Sequence, residues 1–160
     1  MIYRIRIILD TKEDIIRDLE IEDKSSFEDL HFAIIKSFQL MGKEMASFYI
    51  SNNEWVQGEE ITLQGFGNDK NEKIMKEYSL ESLINEDQMK FIYIYDFLNL
   101  WTFFIEIFEV NEIIKNTKYP KTIFSLGKLP EEAPTKQFEE IKDINNLEND
   151  HQGDYDDFYN

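Results

Sequence analysis

Few polar residues of this chain could perform chemistry, and the best grouped of them lie in one short stretch. Asp96, Asn99 and Trp101 directly follow a run of alternating aromatic and aliphatic residues. A carboxylate can act as a general base when burial raises its pKa, and an amide and an indole can orient a ligand beside it. His31, one of two histidines, is the remaining candidate. These four residues define one hypothesis, a small-ligand binder or enzyme with a site near Asp96 and Trp101.

A structural role explains the same residues more simply. A lone histidine such as His31, without a second histidine or a neighbouring aspartate at ligand spacing, is usually a hydrogen-bonded core residue. No Ser-His-Asp arrangement, paired histidines or glycine-rich phosphate loop accompanies Asp96. The chain has no cysteine, which excludes thiol nucleophiles and zinc-thiolate sites. We therefore expect no catalytic residue, no metal site and no cofactor, and we favour a non-catalytic protein-interaction module.

A long aromatic hairpin over residues 89–110 must position the candidate residues. Strand side chains alternate between two faces, so Phe104 and Phe108 point away from the face that carries Trp101. A sheet with aromatic residues on both faces must cover both. Phe104 and Phe108 are therefore candidate contact residues. Their cover could be the segment 128–147 folding back, which we favour, a protein partner, or a second copy in a weak homodimer.

The order of elements predicts an α+β fold. Residues 3–9 and 15–21 alternate as two strands joined by a polar turn. Ser25 and Glu28 form a capping box, and Gly42 is suited to end the helix that it starts. Further strands are expected at 46–51 and 59–63, with a short helical turn at 79–84. We expect a β-grasp-like mixed sheet with one main helix packed across it, an extra C-terminal strand at 101–110, and a C-terminal segment of coil and helix.

Domain organisation follows from a change of composition after the hairpin. We expect a core domain at residues 1–130 and an acidic, partly mobile C-terminal helix and tail at residues 131–160. Thr135 can cap a helix that continues to about Leu147. The tail places Asp154, Asp156 and Asp157 near His151, but the sequence lacks the glycine and distant glutamate of an EF-hand, so a solvated tail is favoured over a metal site.

The formal net charge of −16 is the strongest compositional signal. It opposes direct nucleic-acid binding, which needs clustered Lys and Arg. The favoured interpretation is that this charge keeps an aromatic-rich domain soluble. The alternative is an acidic surface that binds a basic partner. Among so many carboxylates, we interpret Arg4, Arg6 and Arg17 as a solvated strand face. No signal peptide and no apolar stretch of about 20 residues is present, so we expect a cytoplasmic protein without membrane contact.

Several local motifs together resemble a known family. They are the opening strand pair, Leu30-His31, Phe48-Tyr49-Ile50, Ser79-Leu80-Glu81-Ser82-Leu83, Tyr93-Ile94-Tyr95-Asp96-Phe97 with Trp101, Tyr119-Pro120, and Asp154-Tyr155-Asp156-Asp157-Phe158. Over nearly its whole length the chain resembles the plasmid pRiA ORF-three-like family, whose members also occur as passenger proteins of insertion elements.

The resemblance implies a fold rather than an activity. It implies a β-grasp-like sheet and an association with mobile DNA through neighbouring genes. In the family the tyrosine-aspartate-aromatic run continues as Gly-Asp before the tryptophan, with a histidine soon after. This chain has Leu98 and Asn99 before Trp101 and Phe103 after it, and Ala46 and Ser47 where the family often carries a histidine. If those polar groups form a site in the family, this member has lost it.

Overall fold

The structure is a computed structural model that describes residues 1–67 and 70–134. Within these ranges the chain forms one mixed sheet of eight strands, one main helix and two short helical segments. In chain order the elements are β1 (Ile2–Leu9), β2 (Ile16–Glu22), α1 (Phe27–Phe38), β3 (Ala46–Ile50), β4 (Glu60–Thr62), β5 (Lys73–Ile74), a 3₁₀ turn (Met75–Glu77), α2 (Leu80–Leu83), β6 (Lys90–Tyr95), β7 (Trp101–Asn111) and β8 (Lys121–Leu126). The predicted α+β class is confirmed.

The aromatic hairpin lies in the middle of the sheet, whose strand order is β5-β4-β3-β6-β7-β1-β2-β8. β6 and β7 pair antiparallel, with Tyr95 opposite Trp101, and β7 pairs antiparallel with β1. The strand expected to extend the sheet is therefore inserted between β6 and β1. β7 therefore has a neighbouring strand on each side, whereas a strand at the edge of the sheet would have only one.

The helix α1 begins and ends at positions that differ slightly from the predicted ones. The N-cap is Ser26, whose Oγ accepts from Asp29 N–H while the Asp29 carboxylate accepts from Ser26 N–H. The predicted cap, Ser25 with Glu28, is one residue too early because Ser25 still belongs to the turn after β2, where its N–H donates to Glu22. The helix ends at Gln39, whose left-handed backbone (φ 60°) takes the role predicted for Gly42.

The core lies between α1 and one face of the sheet, here called the inner face. Aromatic rings of the helix pack against rings of the strands. The ring centroids of Phe27 and Phe48 are 5.4 Å apart, and those of Phe38 and Phe103 are 4.8 Å apart. Tyr93, completely buried, contacts both Phe48 and Phe103. The opposite sheet face, here called the outer face, carries Phe104 and Phe108. Trp101 is an inner-face residue, as the alternation predicts.

Residues 127–134 form an irregular segment after β8. Leu129 and Ala133 pack against the core, so this part of the chain crosses the helix side of the sheet. The predicted helix at 135–147 and the acidic tail lie outside the described residues. In the described part of the chain, no helix is both long enough and apolar enough to span a bilayer.

Candidate functional site

His31 lies in the core and is paired with a tyrosine. Its ring is almost fully buried, and its Nδ1 lies 2.7 Å from the hydroxyl oxygen of Tyr93. Burial disfavours the imidazolium and lowers the pKa of His31 to about 4. Burial likewise raises the pKa of Tyr93 well above its ordinary value. The pair is therefore neutral at pH 7 and fixes the register of α1 on the sheet.

Asp96 and Asn99 build the turn between β6 and β7. Asp96 has a left-handed backbone (φ 67°), and its Oδ1 accepts from the N–H of Leu98 at 3.1 Å. Its Oδ2 accepts from the side-chain amide of Asn99 at 2.6 Å. Its carbonyl oxygen accepts from Leu100 N–H, which closes the turn. The carboxylate proposed as a general base is thus held by donors of its own turn.

A cleft of about 570 Å³ opens beside this turn. Its deep walls are the rings of Phe38, Tyr95 and Trp101, which are 2%, 3% and 8% exposed. The remaining lining residues are Arg17, Gln39, Leu40, Met41, Lys43, Glu44, Asp96, Lys128, Leu129, Pro130 and Glu131. The structure therefore brings Asp96 and Trp101 together at one concave site. Asn99 supports this site through Asp96, and His31, Phe104 and Phe108 lie elsewhere.

Arg17 is the lining residue that the sequence interpretation missed. Its Nε donates to Ser37 O at 3.0 Å, and its Nη1 donates to the carbonyls of Ile16 and Leu126. Its guanidinium lies 4.9 Å from the ring of Phe38, and burial lowers its pKa. No carboxylate of the described residues forms an ion pair with it. Arg17 lies two residues before Leu19 and four before Ile21, so the alternation of β2 places all three side chains on the inner face.

Left-handed backbone conformations concentrate around the cleft. Gln39, Asp96 and Leu100 have φ values of 60°, 67° and 54°, in a region where non-glycine residues are strained. The hydroxyl of Tyr95 accepts from the N–H groups of Gly42 and Lys43, at 2.8 and 3.2 Å. The cleft is therefore bordered by turns that its surroundings hold in fixed, costly conformations, as binding sites often are.

The outer-face aromatics are partly covered by the chain itself. Phe104 packs against Trp55, with ring centroids 4.9 Å apart, and the guanidinium of Arg6 lies 4.5 Å from the ring of Phe108. The segment we favoured as cover reaches, in its described part, the cleft on the inner side.

Arg4 and Arg6 converge on one buried carboxylate of the outer face. Both guanidinium groups donate to Asp18, at distances down to 2.8 Å. Burial alone would raise the pKa of Asp18, but the hydrogen bonds and charges of the two arginines outweigh it and lower that pKa. These arginines are therefore engaged in the sheet, and their side chains are only 28% and 30% exposed, less than a solvated strand face requires.

The lining of the cleft combines aromatic and charged side chains. It contains no serine, cysteine or histidine, and its charged members are Arg17, Lys43, Glu44, Asp96, Lys128 and Glu131. In the part of the chain that the structure describes, no three His, Cys, Asp or Glu side chains converge as a metal site. Aromatic walls with a few charged groups at the rim are typical of small-molecule pockets.

These features define an α+β protein with a mixed sheet, one covering helix and a cleft at the end of its central hairpin. The sequence profile described as plasmid pRiA4b ORF-3-like protein matches residues 1–159. The chain belongs to this family.

Comparison with solved structures supports the fold. The chain is similar to a protein of unknown function, MM3350 from Methanosarcina mazei Go1, with a TM-score of 0.68 and 18% sequence identity. The alignment covers 78% of this chain and 68% of that chain. No curated protein matches the chain.

The buried His31 predicts an acid-sensitive fold. Its pKa is about 4 in the folded chain and near the ordinary 6.5 when unfolded, so the unfolded chain binds the proton more readily. The stabilisation is complete above pH 6.5 and is lost as the pH falls towards 4, by on the order of 3 kcal/mol. Urea unfolding at several pH values should therefore show a shallower acid loss for His31→Gln than for the parent. The matched control is His151→Gln, which changes the chain's other histidine; equal slopes for His31→Gln and the parent would refute the assignment.

The Asp96 turn predicts a graded response to substitution. Asp96→Ala removes both acceptor oxygens and places alanine at a positive φ, so we expect a loss of about 1–3 kcal/mol in unfolding free energy. Asp96→Asn keeps one acceptor and a residue type that tolerates this conformation, so its loss should be smaller. Denaturant unfolding measures both. Equal stability of Asp96→Ala and the parent would show that the carboxylate does not hold the turn.

Proposed function

We propose that this protein is a non-catalytic binding module and that its cleft takes a small ligand with a flat apolar body and an anionic group. The observation that carries the proposal is the meeting of three buried aromatic walls with the buried guanidinium of Arg17. The volume of about 570 Å³ lies within the range of roughly 300–1,000 Å³ that small-molecule sites occupy.

The walls favour a flat apolar body. Phe38, Tyr95 and Trp101 form a nearly buried aromatic floor, and Leu40 and Leu129 are partly buried at the margin. A planar group that lies over this floor removes apolar surface from water at about 25 cal/mol per Å². The rings are fixed by the core behind them, so little rotamer freedom is lost when a ligand binds.

The charges favour an anionic group on that body. Arg17 carries a desolvated positive charge whose Nε and Nη1 donate to backbone carbonyls, and Lys43 and Lys128 stand at the rim. The opposing Asp96 is held by its own turn. Glu44 and Glu131 at the rim bias the site towards a single small anion rather than a polyanion.

A second candidate function is protein interaction through the outer face and the edge strand β8, by a second copy of this chain. β8 pairs with β2 through one edge, and its other edge has no strand partner within the described ranges. Phe124 lies opposite Asp18 and therefore on the same face as Phe108, and both rings are more than one third exposed. An edge strand with exposed apolar side chains is a template for pairing with another strand.

Ligand binding at the cleft is testable through Trp101 emission. In a Trp55→Phe background, Trp101 is the sole tryptophan, and saturating benzoate should protect its emission from quenching by acrylamide. Indole-3-carboxylate and neutral indole form a matched probe pair whose binding is followed by NMR of the ligand. We expect the carboxylate to bind more tightly than indole. Lys43→Gln and Lys128→Gln should weaken carboxylate binding several-fold, since each removes one attractive charge at short range.

The control for this titration is Lys76→Gln, which changes the net charge equally at a distant surface. Unchanged affinity in that variant together with weakened affinity in the two rim variants supports the cleft. Equal binding of indole and its carboxylate, or binding insensitive to both rim variants, would refute the proposed ligand chemistry. Asp96→Asn is not expected to abolish binding, because the carboxylate serves the turn.

Self-association through β8 predicts a position-specific effect of charge. Phe124→Glu places a carboxylate on the proposed interface and should raise the dimer dissociation constant about tenfold or more in sedimentation equilibrium, which corresponds to about 1.4 kcal/mol. The matched control is Phe97→Glu, since Phe97 and Phe124 are 40% and 41% exposed. A parent chain that remains monomeric at all accessible concentrations, or equal effects of the two variants, would exclude this interface.

A further inference from the structure

A second groove, here called the lysine groove, lies between α1 and the chain that enters β8. Its volume is about 640 Å³. One wall is the exposed side of α1, and the other is formed by residues 118–122. The lining residues are Leu19, Ser25, Asp29, Phe32, Ala33, Lys36, Lys118, Tyr119, Pro120, Lys121 and Thr122. It shares no residue with the cleft beside Trp101.

The lysine groove concentrates positive charge in a strongly acidic chain. Lys36, Lys118 and Lys121 converge on it in a protein with a net charge of −16. Its one acidic lining residue, Asp29, is engaged in capping α1. Lys121 lies 3.5 Å from Glu20, whereas Lys36 and Lys118 form no ion pair with any described residue. The groove therefore has cationic capacity that its own walls do not neutralise.

Exposed ring surface accompanies these lysines. Phe32 lies on the outward side of α1 and is 54% exposed, although the rest of the helix buries its large apolar side chains against the sheet. The ring of Tyr119 and the apolar Pro120 stand on the facing wall. A segment that fits this groove must therefore combine carboxylates with aromatic side chains.

We propose that the lysine groove receives the chain's own C-terminal residues 154–159, whose sequence is Asp-Tyr-Asp-Asp-Phe-Tyr. These residues supply three carboxylates for the three lysines and three rings for the surface of Phe32, Tyr119 and Pro120. The match of both charge and ring content selects this segment over the rest of the chain outside the described residues.

Chain length permits this contact within one molecule. The described residues end at Pro134, and the twenty residues from there to Asp154 span up to roughly 65 Å when extended. A domain of this size has a radius of gyration of about 14 Å, so the groove is within reach. Tethering also gives the segment an effective concentration in the millimolar range, so individually weak, exposed ion pairs are sufficient for docking.

The proposed contact consists of ion pairs and ring contacts at the surface of the groove. Because the contacts are solvent-exposed ion pairs, raised ionic strength releases the segment.

Paramagnetic relaxation in the full-length protein tests the proposal, and the absence of cysteine makes labelling simple. A nitroxide attached through Asn160→Cys should cause loss of amide signal intensity at Lys36, Lys118, Tyr119, Lys121 and Thr122. We expect this loss to disappear in about 1 M salt, where the Debye length is about 3 Å. It should also disappear in Lys36→Glu/Lys118→Glu and in the tail variant with Asp154, Asp156 and Asp157 changed to Asn.

The matched control is Lys70→Glu/Lys76→Glu, which changes the net charge equally at surfaces outside both the lysine groove and the cleft, and it should keep the intensity loss. A mixture of spin-labelled chain without isotope and isotope-labelled chain without nitroxide distinguishes contact between molecules from contact within one molecule. Signal loss that is absent from this mixture but present in the doubly labelled chain arises within one molecule and supports the proposal. Signal loss only between molecules identifies a second copy as the occupant and overturns it. Loss centred on the cleft residues, or no loss at the groove, overturns it as well.

Discussion

The packing of aromatic rings between α1 and the inner sheet face is the interaction on which the rest of the structure depends. Phe27 and Phe38 at opposite ends of the helix contact rings of β3, β6 and β7. Each buried ring contributes about 1.5–3 kcal/mol relative to exposure, and well-oriented pairs add to this. Two anchors one helix length apart fix both the position and the direction of α1. The helix end over the β6–β7 turn, and hence the cleft, follows from that placement.

This packing also determines what the buried polar groups can do. A polar group inside an aromatic layer must find a partner, since leaving it unpaired costs about 1–3 kcal/mol. His31 finds Tyr93, the Tyr95 hydroxyl finds two backbone N–H groups, and Arg17 finds three carbonyls. Each potentially reactive group in the core is therefore engaged in positioning an element. The open cleft is bordered instead by charged side chains at the surface, among them Lys43, Glu44 and Lys128.

Sequence patterns predicted the parts of this structure that depend on local periodicity. Alternation identified the hairpin and its two faces, and helical spacing and end signals identified α1 to within three residues at each end. The place of β7 between β6 and β1 depends on pairing over about a hundred residues, which no local pattern encodes. The role of Arg17 was missed for a related reason: its charge indicated solvent, and only its alternation with Leu19 and Ile21 indicated the inner face. Asp96 and Asn99 are hydrogen-bonded to each other, but these bonds belong to a turn that composition cannot distinguish from a site.

The same fold in MM3350 at 18% identity shows that the sheet and helix tolerate extensive substitution. Residues that the fold requires therefore carry little information on function, and the informative ones are those that stability does not explain. Burying Arg17 without a carboxylate, holding Gln39, Asp96 and Leu100 at positive φ, and exposing Phe32 among lysines are each unfavourable for the folded chain alone. The first two surround the cleft, and the third lies in the lysine groove on the other flank of α1. Both flanks of α1 thus carry unfavourable local features that a bound ligand can offset, and this is the physical basis of the two proposals made above.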